Sequence, residues 1–183
     1  MMDADPTEAE YRPGGPIVLV PHNPEWSSHF ARESAEVAAA LGDVLVAIHH
    51  IGSTAIPDVI AKPVIDILAV VTDLALVDLR AEALRALNYE AMGEFGIPGR
   101  RYFRKSRTEG VRTHQIHAFE VDSHEPQRHL AFRDYLRTHP AAARAYVELK
   151  LELRRQFPTD IQGYSEGKTE FVRDIESRAS RGV

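Results

Sequence analysis

An aspartate stands alone in a greasy segment. Asp66 lies within residues 63–71, where every other position after the opening proline is Val, Ile, Leu or Ala. An unpaired carboxylate in such a strand costs several kcal/mol or is forced to take up a proton. It therefore needs a cation, a metal ion or several hydrogen-bond donors. It either takes backbone N–H groups or one arginine at the end of a strand, or projects from the sheet to hold a divalent metal or a substrate; the second reading is carried forward. Upstream, Gly52, Ser53 and Thr54 follow directly on a predicted strand. Glycine lets backbone come close to a ligand, and two hydroxyls beside exposed N–H groups suit a phosphate. By itself Gly-Ser-Thr is equally a turn, so its weight comes from the pairing with Asp66.

Other chemistry-bearing residues flank this pair. Lys62, just ahead of the apolar segment, either reaches a phosphate or pairs with a surface acid. Arg100, Arg101, Arg104 and Lys105, with Tyr102 among them, follow a turn at 96–99. Arginine forks grip phosphate or carboxylate, and an aromatic between them can stack a base. The same run also fits a solvated hairpin strand. In residues 112–121, strict alternation puts Thr113, Gln115 and His117 on one face and His114, Ile116 and Glu120 on the other. The two histidines then do not converge on one ion. His117 with Asp66 is the expected metal pair, and His114 is assigned to the phosphate-binding set. The alternative is that both histidines simply hydrogen-bond within a half-buried sheet.

The elements that must position these groups follow from hydrophobic periodicity. Residues 1–16 read as a flexible lead-in rich in Asp, Glu, Pro and Gly, and 17–20 as a short strand. Asn23 as N-cap and Pro24 as first helical residue start a helix that Gly42 ends. Strands are expected at 44–50, 63–71 and 88–93, with a loop at 51–57 and a helix from Asp73 to about Ala86. A hairpin at 101–105 and 112–121 follows, then helices at 127–138, 141–156 and 165–179. The fold class is α+β: a mixed sheet flanked by helices over 17–125 and a helical region over 126–183, sharing one core.

Composition narrows the function. The net charge of −5 argues against a protein that lives by gripping nucleic-acid backbone. With no cysteine in the chain, disulfides, thiolate zinc sites and a cysteine nucleophile are excluded. No run of about 18 apolar residues spans a membrane. The acidic N-terminus lacks the apolar stretch of a secretory signal, and the expected location is the cytoplasm.

A strand, a Gly–Ser loop and a second strand carrying aspartate make up the sequence form of the nucleotidyltransferase fold, in which the loop holds a triphosphate and the carboxylate holds magnesium. The run HIGSTAIP at 50–57 followed by AKPVIDI at 61–67 closely resembles the signature of the GrpB family. So do GIPGRRYF at 96–103, RTHQIH at 112–117, HLAFRDYL at 129–136 and the spacing of Tyr164, Lys168 and Phe171. The resemblance runs from about Ile17 to Ile175. It implies a nucleotidyltransferase-like fold with a helical C-terminal region, of a kind fused behind dephospho-coenzyme A kinase in some bacteria, and implies that Lys168 helps close the pocket. One position departs from the superfamily's pattern. A second carboxylate is usual two residues after the first, and here that position is Leu68. Two-metal chemistry wants several acidic ligands, so a full site of that kind is in doubt. The expected function is binding of a nucleoside triphosphate with Mg2+ and transfer of a nucleotidyl or phosphoryl group to a small acceptor. The alternative, favoured by Leu68, is a non-catalytic module for a nucleotide or coenzyme A-type ligand.

Overall fold

The structure, a computed structural model, describes residues 9–181. Its centre is strand β2 (Ile65–Val71), whose apolar side chains on both faces demand cover on both sides. It pairs antiparallel with β1 (Leu45–Ile51) and parallel with β5 (Arg112–Glu120). Strands β3 (Tyr89–Ala91) and β4 (Arg101–Ser106) complete a five-stranded mixed sheet in the order β1-β2-β5-β4-β3. Ile65, Ile67, Ala69 and Val71 join the main core with Val37 and Leu41 of α1 (Glu25–Leu41), Val77 of α2 (Leu74–Leu79) and Leu84 of α3 (Ala81–Ala86). Leu68 and Val70 point the other way, against Ile51, Phe119 and Leu130. Leu68 is 0 % exposed, so the position two residues beyond Asp66 is filled by core rather than by a ligand.

The second face of the sheet meets the helical region: α4 (Glu125–Thr138), α5 (Pro140–Gln156), α6 (Ile161–Glu166) and α7 (Thr169–Arg181). Ile56 and Val59, from the connection between β1 and β2, are buried against Leu136, Ala143, Tyr146 and Ile175. Two arginines of α4 bind the same connection by its backbone. Arg133 donates to the His50 carbonyl at 2.9 Å, and Arg137 to the Ala55 carbonyl at 2.8 Å. The helices therefore fix the Gly52 loop instead of merely lying beside it.

Several elements differ from the periodicity reading. Of the expected lead-in at 1–16, residues 1–8 lie outside the described residues. Beyond them, Tyr11 is buried, and its carbonyl accepts from the Arg112 amide at 2.9 Å. The strand expected at 17–20 is a single bridge, Val20 to Ala61, because the Ile17 amide donates instead to the Pro158 carbonyl at 2.7 Å. The first helix begins at Glu25, although the Asn23 side chain still caps it, accepting from the Glu25 amide at 2.9 Å. Asp73 caps α2 as expected, but the helix breaks at Arg80, whose side chain reaches Asp43 at 2.8 Å. The last helix is split at Gly167. A side chain there would meet Leu153 Cδ2 at 2.3 Å, so only glycine lets this junction press onto α5. Among the described residues no helix is long and apolar enough to cross a membrane.

Candidate functional site

The register of β1 against β2 places Ile51 opposite Asp66, so the next residue, Gly52, sits over the aspartate. Gly52 has φ 71 and ψ −173, a backbone region essentially closed to other residues. A Cβ there would lie 2.5 Å from Asp66 Oδ2. The chain then makes one 3-10 turn at Ser53–Ala55. Asp66 faces a cavity of about 310 Å³ bounded by this loop, β2, β5 and the helices α4 to α7. Its side chain is 26 % exposed, so the carboxylate is open to a ligand.

Lysines dominate the wall. Lys62, Lys150 and Lys168 all line the cavity. Lys150 is 2 % exposed and donates to Ser53 Oγ at 2.7 Å and to the Ile60 carbonyl, with Nζ 4.7 Å from the centre of the Tyr146 ring. Burial, then the neighbouring Lys168 and Lys62, hold its ammonium well below the usual lysine range. Lys168 lies 4.6 Å over the Tyr164 ring, and burial with Lys62 nearby brings its pKa down to about 8. Burial also lowers Lys62, with Asp66 acting in the opposite direction. Arg128 adds another cation, but it is spent on Glu125 and Glu176, each at 2.7 Å. Three buried or half-buried lysine side chains thus face one partly exposed carboxylate. Desolvated like charges repel unless an anion sits among them, an arrangement that suits an anion.

The two residues expected from the sequence to form a metal pair are brought together. His117 Nε2 lies 3.4 Å from Asp66 Oδ1, on the face that alternation assigned to it. Its other nitrogen, Nδ1, is 3.4 Å from Arg100 Nη1. Arginine is always a donor, so Nδ1 is placed to accept from Arg100 while Nε2 faces Asp66. His117 and Asp66 thus meet at the cavity, held in place from behind by Arg100. Among the described residues no group of three or more His, Asp or Glu side chains is spaced to hold a metal. This donor set fits a single magnesium that brings phosphate oxygens and waters with it, with Asp66 as its protein ligand, and does not fit a pair of ions.

Of the other residues singled out from sequence, Gly52, Ser53, Lys62 and Lys168 meet around Asp66. Thr54 lines the cavity, but its hydroxyl is turned inward, 2.8 Å from His50 Nε2 and 3.4 Å from the Val64 carbonyl. His114 is on the opposite sheet face, near Glu33 at 4.0 Å, and burial pushes its pKa down to about 4. It does not belong to the phosphate-binding set. Arg101 forms a forked pair with Asp78 at 2.7 and 2.9 Å on the far side of the sheet. Arg100 is buried in its own turn, donating to the Phe95 carbonyl at 2.8 Å, and acts only through His117. Tyr102 packs against Phe95 and His117, with ring centres 5.2 and 5.4 Å apart, and does not line the cavity. Sequence reasoning missed Lys150, Tyr146, Arg128 and His129. Lys150 left a legible sign: it falls in the buried stripe of α5 with Ala143, Tyr146 and Leu153, where a lysine is out of place. His129, whose pKa burial pushes down to about 4, gave no comparable signal.

Comparison with known proteins bears on the chain's family and fold. The family model described as GrpB protein matches residues 16–178. The UPF0157 protein YqkA of Bacillus subtilis is 41 % identical over 165 residues, covering 90 % of this chain, which spans about half (48 %) of that relative's length. The glutamate-rich protein GrpB of Alkalihalophilus pseudofirmus is 33 % identical, with 88 % of this chain and 94 % of the relative covered. A crystal structure of the conserved protein GrpB from Enterococcus faecalis superposes with a TM-score of 0.84 at 38 % identity, covering 90 % of this chain and 98 % of the other. The Cid1 poly(U) polymerase, in its MgGTP-bound form, matches with a TM-score of 0.53 at 9 % identity, covering 75 % of this chain and 44 % of that one, a likeness of fold. With a nucleotidyltransferase-like sheet, a lysine-rich cavity at its Gly-Ser loop and the family model spanning nearly its full length, the chain belongs to the GrpB family.

Proposed function

We propose that the cavity binds the phosphate chain of a nucleoside triphosphate with one magnesium ion, and that the protein transfers a nucleotidyl or phosphoryl group to a small acceptor in the cytoplasm. The observation that carries this reading is the convergence of Lys62, Lys150 and Lys168 on the Ser53–Asp66 pair. Gly52 lets backbone approach the phosphates closely, and Lys62 and Lys168 oppose charge developing on the transferred group. Asp66, oriented by His117, holds the ion, and His117 is itself steadied by Arg100. The magnesium, when bound, supplies positive charge between the phosphate oxygens. The test is to mix each common nucleoside triphosphate with magnesium and candidate acceptors and follow release of pyrophosphate or nucleoside diphosphate. Turnover in the wild type that disappears in Asp66→Asn, with the fold intact by circular dichroism, is expected. Turnover unchanged in that variant contradicts the reading.

A second reading is a phosphate-ligand module without transfer chemistry, taking a nucleotide or a coenzyme A-type molecule. The buried Leu68 beside the lone Asp66 favours it. A chain 29 % identical to this one, matched over 46 % of its length, is named dephospho-CoA kinase in Mycolicibacterium paratuberculosis. Saturable binding with no release under any of the conditions above would support the module.

A further inference from the structure

With Leu68 two residues on, Asp66 is the one acid on its strand, and the proposed function assigns it to the metal rather than to the proton of an attacking hydroxyl. The structure offers a base elsewhere. Lys150 Nζ stands 2.7 Å from Ser53 Oγ, on the cavity wall and 2 % exposed. Among the described residues no ion pair involves it, and Asp66 acts on it only at longer range. As the ammonium, Lys150 donates to the Ile60 carbonyl and to Ser53 Oγ and lies 4.7 Å from the centre of the Tyr146 ring. In its neutral form the contact with Ser53 reverses, and the lone pair is placed to take the serine's hydroxyl proton. Burial without a contacting carboxylate favours that neutral form, and the shift recorded for Lys150 runs in the same direction. Tyr146, 5 % exposed, stands beside the same serine.

We propose that Ser53 and Lys150 are a nucleophile and its base, and that Ser53 carries the transferred group as a covalent phosphoester before an acceptor receives it. In the first half-reaction Lys150 Nζ takes the hydroxyl proton of Ser53 while Oγ forms a bond to phosphorus. The bond to the departing pyrophosphate, or to nucleoside diphosphate if the terminal phosphoryl moves, breaks with its electron pair on the leaving group. In the second, an acceptor hydroxyl attacks phosphorus, Ser53 Oγ leaves and recovers its proton from Lys150, and the acceptor's proton passes to solvent. A nucleophile held against a buried amine is an established activation device. The inference rests on the nucleotide reading of the cavity.

The test omits any acceptor, so that the ester accumulates. The full chain is incubated with magnesium and ATP, GTP, CTP or UTP, binding is followed by calorimetry, and the protein is then analysed by intact mass and peptide mapping. The expected result is a gain of one nucleotidyl or one phosphoryl group, mapped to Ser53, with its rate of formation reduced about a hundredfold or more in Lys150→Met. Ser53→Ala should acquire no label; should that variant fail to fold, the mapping on wild-type protein and the Lys150→Met rate carry the test alone. Nucleotide bound with no adduct on Ser53 overturns the covalent step and leaves the binding reading standing. No nucleotide bound overturns both.

Discussion

At the scale of single residues, Gly52 and Lys168 carry the most direct consequences. A Cβ on Gly52 would strike Asp66, and the backbone there is one that only glycine adopts readily. Gly52→Ala is expected to cost about 1–3 kcal/mol in denaturant unfolding and to displace the carboxylate, so that nucleotide binding falls with it. A stable variant that binds normally would show that the close approach is unimportant. Lys168 makes a pH prediction. Its pKa of about 8 in the fold lies below the ordinary 10.5, so the unfolded chain binds more protons between those values. This group therefore makes the free protein more stable as pH rises from about 8 towards 10.5, and adds no slope below. Phosphate binding runs the other way, because it needs the ammonium form. Calorimetric affinity should fall as pH passes about 8, and Lys168→Met should flatten that fall. Asp66, Gly52, Ser53 and Lys62 were legible because each breaks a local pattern. The inward turn of Thr54 onto His50 and the role of Arg100 behind His117 were not, since both depend on how the chain folds back on itself rather than on residue spacing.

At the scale of elements, the Gly52 loop is held by helices from the far end of the chain. Ile175 of α7 is 1 % exposed and packs in the cluster that buries Ile56 and Val59. Ile175→Ala should cost about 2–5 kcal/mol and loosen the loop as well as the helix. Hydrogen exchange would show this as faster exchange at Ala55 and Ile56, whose amides bond to Gly52 and Ser53. Protection unchanged in the loop would mean that the helical region only sits beside the sheet. Periodicity placed β2, β4, β5 and most of α4 and α5 near their observed limits, since long alternating or helical stripes are strong signals. It failed at Arg80 and Gly167. Both breaks lie inside stretches whose apolar spacing continues; at the second, Gly167 lies against Leu153, a contact no local pattern records.

At the scale of the whole molecule, the sheet supplies the acid and the loop, and the helical region supplies Lys150, Arg128 and, from the turn between α6 and α7, Lys168. Charge balance over the chain gave no hint of this, because the net charge is −5 while the cavity wall is cationic. On the proposed function, the locally positive cavity is what draws a compact anion to an otherwise acidic protein. The measurement that tests this most directly is a crystal structure of the protein soaked with a nucleoside triphosphate and magnesium. The account predicts phosphate density beside Gly52 and Ser53, within reach of Lys62, Lys150 and Lys168, with the ion on Asp66 and His117 behind it. Phosphates bound elsewhere, or the three lysines and Asp66 left without ligand at saturating nucleotide, would contradict it.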